Sequence, residues 1–207
     1  MPGQSASNAV SKPDPAAGER IGLLGGSFNP AHQGHLHVSR MALDLLALDR
    51  VWWLVSPQNP LKEETDMAPF EARVNSGIDA AKAEPRVTVT GIEAQIGTRF
   101  TAETLTRLVE VYTEQHFVWM MGADNLEQIS SWADWTRIFE TVAVAVFARP
   151  GYAETALEAE AAVHFADHRI ESGNAAELAT MTPPAWVYLD IPMHPLSATQ
   201  IRRSGGF

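Results

Sequence analysis

The chain contains no cysteine. Disulfides, thiolate metal sites and cysteine nucleophiles are excluded, and a reducing compartment fits. No apolar run reaches the roughly 20 residues of a membrane span. The N-terminus lacks the charged-then-apolar pattern of a secretion signal. Cationic side chains are scarce: 15 Lys and Arg stand against 25 Asp and Glu, a formal net charge of -10. That balance speaks against a general nucleic-acid binder, although nucleotides can still bind where cations are local. The expectation is a cytoplasmic protein without membrane or nucleic-acid partners, monomeric or a homodimer. What is present is ordinary for a globular protein: 207 residues, 45% of them hydrophobic, enough for one full core.

Residues Met1 to Glu19 are rich in Ser, Ala, Pro and Gly and nearly free of large apolar side chains. Their composition predicts a disordered tail over 1–19, followed by one domain over 20–207. From Arg20 the pattern alternates. Short apolar runs at Ile21–Leu24, Val51–Val55, Val87–Val89, Phe117–Met121, Thr141–Ala148 and Trp186–Leu189 predict strands. Helical spacing is found over Leu36–Leu48, Phe70–Ala83 (entered at Pro69), Thr101–Tyr112, Ala153–Ala162 and Ser197–Arg203. This alternation predicts an α/β fold: a single Rossmann-like, doubly wound parallel sheet with helices on both faces. Ligands of such sheets bind beyond the carboxyl ends of the strands.

The most informative stretch lies at the first strand end: Gly25-Gly26-Ser27-Phe28-Asn29-Pro30-Ala31-His32-Gln33-Gly34-His35. A strand, a glycine turn and a helix N-terminus gather free N–H groups and the positive end of a helix dipole. That is a phosphate site. Gly34 allows close approach of a ligand, and His32 and His35 can each donate N–H to a phosphoryl oxygen. Each could instead only cap the helix, and the spacing could suit zinc, but no third ligand stands out. His37 reads as a bland helix residue. Near the other end, Ser197, Thr199 and Arg202 would form a second anion site, unless Ser197 and Thr199 serve only as caps. Two phosphate cradles suit a triphosphate.

Gly-Ser-Phe-Asn-Pro-x-His-x-Gly-His, paired with Ser-x-Thr-x-Ile-Arg, resembles the HxGH nucleotidyltransferase superfamily and, within it, the bacterial nicotinate-nucleotide adenylyltransferases. The resemblance runs from about Arg20 to Arg203. It implies adenylyl transfer from ATP to nicotinate mononucleotide by direct attack on the α-phosphorus, with Mg2+ bound through the ATP phosphates and no metal held by the protein itself. His32, His35 and Arg202 are then the catalytic set. Gly25, Gly26, Ser27, Phe28, Gly34, Ser197 and Thr199 fall to ATP. Gly122 and Asp124 of Gly-Ala-Asp, and Arg149 of Arg-Pro-Gly, fall to its adenosine part; a helix cap and a plain turn are their simpler readings. Asn29, Lys62, Thr98, Thr101 and Trp132 fall to the mononucleotide. There Trp132 would stack on the pyridine, and Thr98 with nearby amides would face its carboxylate. Trp135 reads as packing, Thr101 also as a cap, and Lys62 also as a solvated surface residue.

The chain departs from the family at Leu61, where many relatives have His, and at Ala198, where a second Ser is frequent. It also stops at Phe207, where many relatives carry a further helix. Nicotinamide mononucleotide or phosphopantetheine as acceptor, or a non-catalytic nucleotide-binding regulator, are the alternatives.

Overall fold

Five strands of this chain are nearly continuous apolar runs, which only a sheet covered on both faces can bury. The computed structural model describes residues 12–57, 67–149, 152 and 155–192. Its strands are β1 (Arg20–Gly26), β2 (Arg50–Val55), β3 (Val87–Thr90), β4 (His116–Gly122), β5 (Ala143–Phe147), β6 (Arg169–Ile170) and β7 (Trp186–Leu189). They form one sheet in the order β3-β2-β1-β4-β5-β7-β6, with every pair parallel. The chain winds outward from β1 to β3, then returns to the other side of β1 to lay down β4. The switch point therefore falls between the carboxyl ends of β1 and β4.

Side-chain alternation along each strand splits the core in two. On one face Ile21, Leu23, Trp52, Phe117, Val144 and Trp186 bury against α3 (Ile92–Ile96), α4 (Thr101–Val111), α5 (Ala123–Gln128), α6 (Trp135–Thr141) and α7 (Glu160–His164). On the other, Val51, Trp53, Val118, Ala145, Phe147 and Val187 bury against α1 (Gln33–Leu45), α2 (Phe70–Ala81) and a run of 3₁₀ turns over Ser172–Thr180. Adjacent Trp52 and Trp53 thus serve opposite layers. The buried indoles of Trp53 and Trp186 find acceptors: Trp53 Nε1 donates to Ser39 Oγ at 2.8 Å, and Trp186 Nε1 to the Phe165 carbonyl at 2.8 Å. No helix among the described residues is long and apolar enough to cross a membrane.

Several elements differ from the sequence expectation. α1 begins at Gln33, a turn before the apolar repeat, because His32 caps it. Thr141 closes α6, and the strand expected from Thr141 starts only at Ala143. Of the helix expected over Ala153–Ala162, the described part is a 3₁₀ turn at Ala156–Glu158 and the short α7, broken by Ala159 in an extended conformation. Ala-rich sequence supplies helical propensity but few large side chains to fix a long helix, so packing of Ala156 and Ala161 decides. Helix Ser197–Arg203 lies outside the described residues. Within the segment read as a tail, residues 12–19 make defined contacts. The Tyr112 hydroxyl donates to the Pro13 carbonyl at 2.8 Å, Gly18 N–H to the Glu114 carbonyl at 2.9 Å, and Glu19 pairs with Arg50 at 3.1 Å.

Trp186→Phe keeps the packing but strands the Phe165 carbonyl. It should cost about 1–3 kcal/mol, read as a lower urea midpoint at unchanged slope. An unaltered midpoint would show that the bond contributes nothing.

Candidate active site

At the carboxyl end of β1 the backbone turns sharply into α1. Gly25 is obligatory because a Cβ there would overlap the ring of Trp119 on β4. Phe28 holds a positive φ of 46° and is buried, its ring stacked on Trp53 at 5.2 Å. His32 is the N-cap: its Nδ1 accepts the Gly34 N–H at 3.0 Å. His35, one turn into the helix, returns the bond, its Nδ1 accepting the His32 N–H at 3.1 Å. This is a capping box built from two imidazoles. An accepting Nδ1 carries no proton, so a neutral ring with this bond bears its proton on Nε2. The rings lie 3.9 Å apart. Burial, then the nearby charge of His32 and of Arg149, pull the His35 pKa down to about 3, so His35 is neutral across the physiological range. Capping and phosphate donation, alternatives in the sequence, are compatible for His35: its Nδ1 serves the helix, and the neutral ring carries its proton on Nε2.

Beneath this turn lies Arg73 of α2, 1% exposed. Its Nε donates to the Ala68 carbonyl at 3.0 Å, Nη1 to those of Ser27 at 2.7 Å and Ser56 at 2.8 Å, and Nη2 to that of Pro57 at 3.0 Å. One guanidinium thereby joins the ends of β1 and β2 to the entry of α2. Asn29 adds to this seam, its Oδ1 accepting the Ala68 N–H at 3.1 Å. Sequence reasoning assigned Asn29 to substrate and overlooked Arg73. The available signal was an arginine on the apolar face of a helix, in register with Val74, Gly77 and Ala81.

Across the switch point, Gly122 precedes α5, and Asp124 pairs with Arg149 beyond β5, Oδ1 to Nε at 3.1 Å. A Cβ at Gly122 would collide with both partners. The N-cap of α5 is Gly122 rather than Asp124, which is engaged by the arginine.

A cavity of about 500 Å³ opens between these strand ends. Gly25, Gly26 and Ser27 form one side; Phe100, Thr101 and Trp132 form the other. Trp135 turns instead into the core, edge-on to Phe139 and Phe165. Thr98 does not line this cavity. Its hydroxyl sits 2.8 Å from that of Thr104, and it borders a smaller groove with Glu103 and Arg137. Thr101 is the first residue of α4, after Phe100 at the cap position. Lys62, Ser197, Thr199 and Arg202 lie outside the described residues. Glu93, which no motif marked, also lines the cavity. Burial raises its carboxyl to about 7, with the Thr104 hydroxyl donating at 3.4 Å in partial opposition.

The cytidylyltransferase-like family model matches residues 23–204. A probable nicotinate-nucleotide adenylyltransferase of Parvibaculum lavamentivorans is 50% identical over 190 residues, which is 92% of this chain and 94% of that protein. The similarly described protein of Methylorubrum extorquens is 52% identical over 183 residues, 88% of this chain and 98% of that one. The chain belongs to the nicotinate-nucleotide adenylyltransferase family. Among solved structures, the Plasmodium falciparum nicotinic acid mononucleotide adenylyltransferase complexed with APC superposes with a TM-score of 0.65 at 16% identity, over 89% of this chain and 83% of that one. This likeness is one of fold, and it agrees with the doubly wound sheet. In this adenylyltransferase family member no three His, Asp or Glu side chains converge as a metal site among the described residues.

Glu93 supplies a test of the cavity's electrostatics. Its folded pKa lies above the ordinary 4.5, so its proton-linked stabilisation is complete below that value and is lost as pH rises through about 7. A glutamine carries no such penalty. Glu93→Gln should gain on the parent by on the order of 3 kcal/mol between pH 4.5 and pH 8, measured by denaturant unfolding at both. A pH-independent difference would mean that the carboxyl is solvated.

Proposed function

We propose that the chain transfers the adenylyl group of ATP to nicotinate mononucleotide, releasing nicotinate adenine dinucleotide and pyrophosphate. The observation that carries this reading is the mutually capped pair His32 and His35, with His35 held neutral by burial, at the start of the helix that follows the cavity-lining residues Gly25, Gly26 and Ser27. A phosphate oxygen of the mononucleotide attacks the α-phosphorus of ATP. A new O–P bond forms, and the bond to the departing pyrophosphate breaks, its electron pair leaving with the pyrophosphate oxygen. The nucleophile is already anionic, so no base is required. A histidine with a pKa of about 3 would in any case be a weak one. The histidines act as donors: Nε2–H groups held rigidly by the capping box stabilise charge on the phosphoryl oxygens without reorganising. In-line positioning supplies the rest.

In this reading Gly25, Gly26, Ser27, Phe28 and Gly34 shape the triphosphate side. Gly122, Asp124 and Arg149 meet the adenosine, and Thr101 and Trp132 meet the pyridine. Ser197, Thr199 and Arg202 complete the second phosphate cradle, and Lys62 meets the mononucleotide. Thr98 acts through Thr104 rather than by touching the ring, and Asn29 by fixing Ala68. Mg2+ neutralises phosphate charge when bound. The described site offers N–H donors and two carboxyl groups: Asp124, already paired with Arg149, and Glu93, whose burial disfavours its charged form. Such a site fits an ion carried on phosphate oxygens and water rather than on a protein cage. The substrates are soluble nucleotides, which suits a cytoplasmic enzyme working as monomer or homodimer.

Pyrophosphate release with ATP and Mg2+ tests the reading directly. Nicotinate mononucleotide should be strongly preferred over nicotinamide mononucleotide. Equal rates would make the acceptor site indifferent to the acid, and silence with both would overturn the assignment. His35→Ala should lower kcat by roughly 10²–10³, the scale of one lost transition-state donor. A near-normal rate with the α1 N-terminus intact would remove His35 from the catalytic set.

A further inference from the structure

The connection between α3 and α4 builds the aromatic side of the cavity. α3 ends at Gly97 in the left-handed region, φ 70°. The following residues run past the cavity into α4, so that Arg99, Phe100 and Thr101 all line it. The backbone here is fixed from both sides. Thr98 N–H donates to the Glu93 carbonyl at 3.2 Å, and the Glu103 carboxylate accepts the N–H groups of Arg99 at 3.3 Å and Phe100 at 3.4 Å. Glu103 is thus engaged by the main chain, and it borders the smaller groove rather than the cavity. The Arg99 guanidinium has no carboxylate partner among the described residues; it lies over the Phe100 ring, 5.7 Å from the centroid. The other ionisable group lining the cavity is Glu93. Burial holds that carboxyl near its neutral form on the acid side of pH 7, so it is a poor competitor for the arginine there.

A cation without an acid partner on the wall of a cavity that also carries Phe100, Trp119 and Trp132 is arranged for a flat aromatic ligand bearing an anionic group. We propose that Arg99 is a specificity-determining residue that pairs with the carboxylate on the acceptor's pyridine ring, favouring the acid over the amide. This rests on the acceptor reading given above. The mononucleotide carries a second anion, its phosphate. The carboxylate is assigned to Arg99 because the arginine shares a wall with the stacking surfaces, whereas the phosphate-binding amides and histidines belong to the β1 end. A planar guanidinium fork matches a carboxylate in two parallel hydrogen bonds, which an amide cannot accept in the same way.

The two acceptors differ at that one substituent, so they separate the sources. kcat/KM would be measured with nicotinate and with nicotinamide mononucleotide, at saturating ATP, for the parent, Arg99→Gln and Arg99→Lys. Arg99→Gln should lower kcat/KM for the acid by about 10- to 100-fold, mostly through KM, and change the amide's by less than about threefold. Arg99→Lys should fall between, keeping the charge but losing the fork. An equal fall with both acceptors would assign Arg99 to the phosphate or to the wall's structure and overturn the proposal, as would no change with either. Calorimetric binding of the same two mononucleotides to the same variants reads Arg99 without turnover. A protein that turns over neither compound would refute the proposed reaction. Arg99 would still stand if the parent bound the acid more tightly and Arg99→Gln abolished that difference, and would fall otherwise.

Discussion

A single buried cation holds the working end of this molecule together. The Arg73 guanidinium has surrendered its hydration and has no ion-pair partner among the described residues. Carbonyl oxygens of Ser27, Ser56, Pro57 and Ala68 take the place of water. Isolated burial of a charge is expensive, so the arrangement persists only while all three segments converge on it. That makes Arg73 a clamp with a threshold: the β1 turn, the β2 end and the α2 entry are either gathered or not. The first phosphate cradle of the proposed reaction hangs from the β1 turn.

From that turn the histidine pair follows. Helix N-termini leave N–H groups without partners, and small side chains such as Ser or Asp usually satisfy them. Here two imidazoles do so, and each spends its basic nitrogen. The helix gains its cap, and the buried ring of His35 becomes a poor base while keeping a donor at the far nitrogen. Burial against Phe28 and Trp53 reinforces the neutral state of His35. The local fold and the proposed chemistry are thus satisfied by the same four ring nitrogens.

The sheet and the capped turn from β1 into α1 were legible in the sequence because they rest on short-range rules: apolar runs for buried parallel strands, glycines for tight turns, a histidine pair at a strand-to-helix junction. β7 was read to the residue. The short helices α3, α5 and α6 were not read, since elements of five to seven residues carry too little periodicity and are held by packing. Site residues divided on the same principle. Gly25 and Trp132 announce themselves by type and neighbours. Arg73 and Glu93 owe their character to burial, a property of the assembled layers, and the contact of Thr98 with Thr104 joins residues six apart across the start of α4, which no local pattern shows.

The contact between Gly25 and the Trp119 ring has one more consequence. In the observed pairing Leu23 lies beside Trp119 and Leu24 beside Met120. Were β4 to slide one residue toward the amino end of β1, alternate side chains would exchange faces, and the indole would meet Leu24 where it now meets bare backbone. The missing side chain therefore works as a gauge. The observed alignment of the two central strands gives the ring that room, and it also brings the β1 turn and the α5 entry level with each other. The active site's proportions are set by the same fit that sets the strand register.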